Sequence, residues 1–220
     1  MNQQTNKVDP LKKQATVENL NTDALSPMAP PEAYEGAIPK SEGVNDDNPF
    51  LKELVEEHVE FKEHISKFTS AMHHVKDNRK FDVQSAKIVC AFFEYFDREF
   101  VVHNKKEERY LFPILAKKLL EHGEHSTGLG EVTTPVDILE SEHIQALQLG
   151  AIISNSFEIL PRINHQESYY TILSNTVNKG FVLAELLNLH IHREDNIVFT
   201  LAKNLISKEE FDVIQKAYEE

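Results

Sequence analysis

From residue 49 onward the apolar residues of this 220-residue chain recur every three or four positions, and few glycines interrupt them. That is the helical period, and no stretch alternates with the period of two expected of a strand. The first predicted helix opens at Asn48-Pro49, a cap residue followed by a proline suited to the first helical turn. Leu51, Leu54, Val55, His58, Phe61, Ile65, Phe68 and Met72 form its stripe, and the polar run from Lys76 to Lys80 ends it. The second starts after Asp82 and carries Val89, Phe92, Phe96, Phe100, His103, Glu107, Tyr110 or Leu111, and Ile114. Pro113 must bend or interrupt it, because proline removes a backbone donor and crowds the preceding turn. The segment from Ile114 to His122 reads as helical again, and Gly123 to Gly130 is the longest interruption that follows.

Thr134-Pro135-Val136-Asp137 gives the third helix the clearest start: a hydroxyl at the cap, then proline, then an acid three residues after the cap. Val136, Leu139, His143, Ala146, Leu147 and Gly150 share its face, and Pro161 marks its end. A fourth helix begins between Gln166 and Tyr169 and carries Leu183, Leu186, Leu187, His190, Glu194, Ile197, Val198 and Leu201. Ser207-Lys208-Glu209-Glu210 is a second capping box, and it starts a short terminal helix. Four long amphipathic helices with modest connections predict an all-α fold, an antiparallel up-and-down four-helix bundle with a short extra C-terminal helix.

Composition divides the chain unevenly. Six of the nine prolines lie within residues 1–49, among Asn, Gln, Asp, Glu and Lys. Residues 1–48 lack the apolar density that would offset their ordering entropy, so they read as a flexible tail or docking arm, with Tyr34 and Ile38 as candidate anchors. Residues 49–220 form the domain. The formal net charge of −13, with no dense basic block, argues against nucleic acid and anionic membrane surfaces as partners. A single cysteine, Cys90, excludes a disulfide framework and reads as a small buried hydrophobe. The N-terminal residues show no secretory signal, and no uncharged apolar run of about 18 residues could span a bilayer. The expected location is cytoplasmic.

The eleven histidines change the picture, because each long stripe contains one: His58, His103, His143 and His190. Two have a glutamate four residues later, His103 with Glu107 and His190 with Glu194. At about 100° per residue, an offset of four leaves two side chains about 40° apart on one face. Unpartnered carboxylates inside a bundle would cost several kcal/mol or be forced neutral. Cations remove that cost, and imidazoles with carboxylates suit iron, manganese or zinc over magnesium or calcium. His64, His73, His74, His122, His125, His165 and His192 fall off these faces or in connections, so they read as ordinary exposed or loop histidines.

This pattern, with HNKKEERYLFP at 103–113 and HIHREDNIVF at 190–199, resembles the hemerythrin-like family of HHE cation-binding domains over about residues 50–205. The resemblance implies two non-haem iron ions with an oxo or hydroxo bridge. His58, His103, His143 and His190 would be terminal ligands, and Glu107 and Glu194 would bridge. Manganese or zinc would accept most of the same donors. Oxygen-carrying members place an aspartate five residues after the last histidine, where Asp195 stands; helix geometry favours Glu194, because an offset of five turns a side chain about 140° away. They also carry a second histidine on the third helix, at the position of Leu147. Fewer protein ligands favour reactivity with dioxygen, peroxide or nitric oxide over reversible oxygen carriage.

The implied roles are sensing, redox or nitrosative defence, or iron handling. Phe61, Phe96, Phe100 and Leu147 would limit water around the site. No separate catalytic residue is assigned, and no protein partner is specified. The competing reading is a metal-dependent regulatory or interaction module without turnover. A ferritin-like oxidase fits poorly, because its Glu-x-x-His motifs are replaced here by His-x-x-x-Glu.

Overall fold

The computed structural model describes residues 48–125 and 133–219. The tail expected at 1–48, apart from Asn48, lies outside them, as do Tyr34, Ile38 and most of the Gly123–Gly130 connection. Among the described residues the fold is all-α, with no strand.

Helix α1, Pro49–Asn78, begins where Asn48 Oδ1 accepts from the Leu51 N–H at 3.1 Å. Its end turns at Arg79, whose φ of 50° lies in the left-handed region. Helix α2, Val83–Tyr95, is capped by Asp82. A π turn at Phe96–Phe100, α3 at Val101–Lys106, a π turn at Glu107–Leu111 and α4 at Phe112–His122 continue it without a break. Pro113 falls immediately after the second π turn, so its missing N–H is absorbed where the ladder already changes spacing. Helix α5, Pro135–Ile159, carries the expected capping box between Thr134 and Asp137. Helix α6, Gln166–Arg193, a π turn at Glu194–Val198 and α7, Phe199–Leu205, form another continuous rod. Helix α8, Lys208–Glu219, follows the reciprocal cap of Ser207 and Glu210.

The π turns explain how a long stripe stays on one face. Phe92, Phe96, Phe100, His103, Glu107, Leu111, Leu115 and Leu119 are all buried. In an unbroken α-helix Phe92 and Leu119 would lie about half a turn apart at about 100° per residue. Each π turn takes up one extra residue, which returns the two to within about 20° of a common face.

Helix α1 packs along α2 and α6, and α5 packs along α6. The buried apolar residues form two clusters. One holds Phe61, Phe68, Phe92, Phe100, Ala146 and Leu187; the other holds Leu54, Leu111, Phe112, Leu139, Val198 and Phe199. On every rod the histidine of interest stands where the first cluster gives way to the second.

Three sequence expectations fail here. Cys90 is exposed, because the buried stripe of α2 runs through Val89 and Phe92. Val55 and Leu147 are also exposed, at 39% and 42%. Each lies at the margin of its helix stripe, beyond the arc that the neighbouring helices cover. Leu147 therefore does not wall off the site.

Candidate metal centre

The structure brings all six predicted site residues together. His58, His103, Glu107, His143, His190 and Glu194 are buried, the two glutamates completely. They come from four separate rods. The Nε2 atoms of His58 and His103 lie 3.0 Å apart, and those of His143 and His190 lie 3.1 Å apart. Two donor groups result: Glu107, His143, His190 and Glu194 form one, and His58, His103 and Glu194 form the other. Glu194 belongs to both. Its Oε1 is 2.9 Å from His190 Nε2, and its Oε2 is 3.2 Å from His58 Nε2. Glu107 Oε2 lies between His143 Nε2 at 3.5 Å and His103 Nε2 at 3.7 Å.

Asp195 takes a different place. Its Oδ1 accepts from His58 Nδ1 at 2.7 Å, and its Oδ2 accepts from Lys62 at 2.7 Å. The backbone is α-helical as far as Arg193, and the π turn opens at Glu194, whose N–H still reaches the His190 carbonyl.

An outer layer that sequence reasoning missed orients the four rings. Glu57 Oε2 accepts from His103 Nδ1 at 2.8 Å, Glu108 Oε1 from His143 Nδ1 at 2.8 Å, and Glu142 Oε2 from His190 Nδ1 at 3.0 Å. With Asp195 on His58 the pattern closes into a ring. The first rod orients the histidine of the second, the second that of the third, the third that of the fourth, and the fourth that of the first. Lys106 pairs with Glu57, Lys62 with Asp195, and Arg193 with Glu142. The signal was present in the sequence, since each of these acids is the immediate neighbour of a predicted ligand. It needed the packing to say which histidine each acid serves.

A carboxylate can only accept, so each Nδ1 carries the hydrogen and each Nε2 is left facing inward. Bare lone pairs about 3 Å apart repel unless a proton or a cation sits between them. Neither oxygen of Glu107 or Glu194 makes a hydrogen bond of proper geometry, although all four oxygens are buried. Orphaned carboxylate oxygens and converging imidazole nitrogens are the donor set of a cation site, and the residues present fit one. Phe199 stacks on His58, Phe112 stacks on His143, and the edge of Phe100 meets His143 and His190. A cavity of about 50 Å³ opens beside His58 and His103, walled by Glu57, Phe61, Tyr95, Glu99 and Phe100.

Without a cation, protons take its place. Burial alone would lower the pKa of His58, but Asp195, Glu194 and Glu107 outweigh it and raise the value to about 10. Burial likewise opposes, and Glu107 and Glu194 overcome, the rise of His143 to about 10. Glu194, which burial would raise, is held well below the usual carboxylate range by His190, His143 and His58. Loading the metal-free chain at pH 7 should therefore release at least two protons, those of His58 and His143, because a metal takes the neutral imidazole. His190 adds a further contribution, because against its burial Glu194 and Glu142 raise its pKa. A weakly buffered titration with a pH electrode measures this, and an uptake without proton release would contradict the arrangement. The same shifts fix the stability profile of the metal-free chain. The histidine contribution is full below the unfolded value near 6.5, declines as pH rises, and is gone above about 10.

None of the other described histidines joins either donor group. His64 stacks on Tyr95, His74 pairs with Asp82, His122 bonds the Lys118 carbonyl, and His165 caps α6.

Residues 49–202 match the family described as the hemerythrin HHE cation binding domain. No curated protein matches the chain.

Proposed function

Because the chain belongs to the hemerythrin HHE cation-binding family, we propose that it holds two non-haem irons between four long helices and reacts there with dioxygen, peroxide or nitric oxide. The rods 49–78, 83–122, 135–159 and 166–205 would form the antiparallel bundle, with the domain spanning 49–220. The observation that carries the reading is the convergence of four inward Nε2 atoms on two buried carboxylates that lack hydrogen bonds.

His143 and His190 would hold one iron, and His58 and His103 the other, with Glu107 and Glu194 shared between them. Bound iron supplies redox chemistry and exchangeable coordination positions to small molecules. The protein supplies the rest. The outer carboxylates keep each Nδ1–H engaged and so hold Nε2 aimed inward. Phe100, Phe112 and Phe199 exclude bulk water. The unequal donor groups, four residues against three, support entry of a small ligand on the His58 and His103 side, where the cavity lies.

Metal analysis and an optical spectrum of the untagged protein test the reading. About two irons per chain, with near-ultraviolet bands that respond to air, peroxide or azide, is the expected result. A chain that refuses ferrous iron under anaerobic conditions would end it.

A further inference from the structure

Helix α8 lies beyond the residues that match the family, yet it is wired to the centre. Phe211 and Ile214 bury it in the second apolar cluster, and Glu210 pairs with Lys118 at 2.9 Å. Near its end, the Tyr218 hydroxyl donates to Glu53 Oε1 at 2.7 Å. Its ring meets Phe50 edge-on at 5.6 Å and Tyr110 at 5.8 Å, and Lys106 Nζ sits 5.3 Å from the ring centre. Lys106 in turn donates to Glu53 Oε1 at 2.6 Å and to Glu57 Oε1. The other oxygen of Glu57 accepts from His103 Nδ1. Hydroxyl, carboxylate, ammonium, carboxylate and imidazole alternate donor and acceptor without a gap.

We propose that Tyr218 is a positioning residue for the metal centre, and that docking of α8 sets how firmly His103 is held. The inference rests on the metal reading above. Lys106 is the pivot. Its side chain is only 11% exposed, so its charge depends on the groups around it: two carboxylates and the face of Tyr218. With Tyr218 in place, Glu53 is fixed and Lys106 divides its hydrogen bonds between Glu53 and Glu57. With Tyr218 gone, Glu53 turns to water and Lys106 loses the ring that covers it. Glu57 then has to satisfy both the ammonium and His103 Nδ1, and the imidazole loses part of its anchor. Neighbouring bonds in such a network are coupled, so the change at one end reaches the other. A short helix with few buried side chains also opens more easily than the rods beneath it. Anything that lifts α8 would loosen the His58 and His103 half first.

The test is Tyr218→Phe in the full chain, which keeps the ring and its packing and removes only the hydroxyl. In the metal-free protein, nitrogen-15 spectra of labelled histidine report the His103 Nδ1–H directly. A shifted His103 signal with unchanged helicity and thermal midpoint is expected. In the iron-loaded protein, release to an external chelator should quicken by about 2- to 10-fold, less than the loss expected when a direct partner of a ligand is removed. Glu53→Gln should reproduce both effects through the same bond. His103 signals and iron release indistinguishable from the native chain would overturn the proposal. If the native chain takes no iron, the metal reading falls, and the histidine spectra alone then decide whether the relay exists.

Discussion

Replacing Glu194 with glutamine should empty the whole centre, taking the chain from about two ions to near none, because an amide is a poor ligand at a site built on charge. The reason is positional. Glu194 is the residue common to both donor groups, so its loss removes the carboxylate oxygen nearest His58 and the one nearest His190 together. His143→Ala should be milder in count, leaving about one ion per chain, because His143 belongs to a single group. Asp195→Asn should keep the full count at saturating metal and weaken affinity by about 10- to 100-fold, as expected for an outer partner of a ligand. Metal analysis across a titration separates these cases. An Asp195 variant that lost all metal while the Glu194 variant kept it would reverse the assignment.

Metal loading should raise the thermal midpoint by about 15–30 °C. The folded chain buries Glu107 and Glu194 fully with none of their oxygens hydrogen-bonded, a cost that a cation removes. The ligands come from four rods, so the unfolded chain has no comparable site, and binding acts on the folded state alone. At free metal about a thousand times the dissociation constant, each ion adds about 4 kcal/mol. Two ions give about 8 kcal/mol, and a domain of this size moves by about 2–4 °C per kcal/mol. Calorimetry with and without ferrous iron under anaerobic conditions measures the difference. A midpoint that did not move would show that the carboxylates are satisfied in some other way. Because protons partly replace metal at His58 and His143, the gain should be larger at pH 8 than at pH 6, where the higher proton concentration competes more strongly with metal.

The sequence determined the helical rods, their caps and the six residues that meet in the interior, because each is written in local terms. Asn48, Asp82, Thr134 and Ser207 cap helices by bonds to residues three further on. His103 with Glu107, and His190 with Glu194, are placed by helical spacing alone. What the sequence could not determine were relations between rods. Glu57, Glu108, Glu142 and Asp195 stand beside ligands in the chain but serve histidines on other rods, 35 to 137 residues away. The exposure of Cys90, Val55 and Leu147 is of the same kind, since a stripe read at helical period does not say how wide an arc its neighbours will cover. Where the two neighbouring acids point was likewise a matter of packing: Asp195 meets His58 and Lys62 of the first rod, while Glu194 lies in both donor groups. Local hydrogen bonding and periodicity act within a few residues and can be read along the chain. Which side chain faces which depends on how whole rods pack, and that is a property of the tertiary structure.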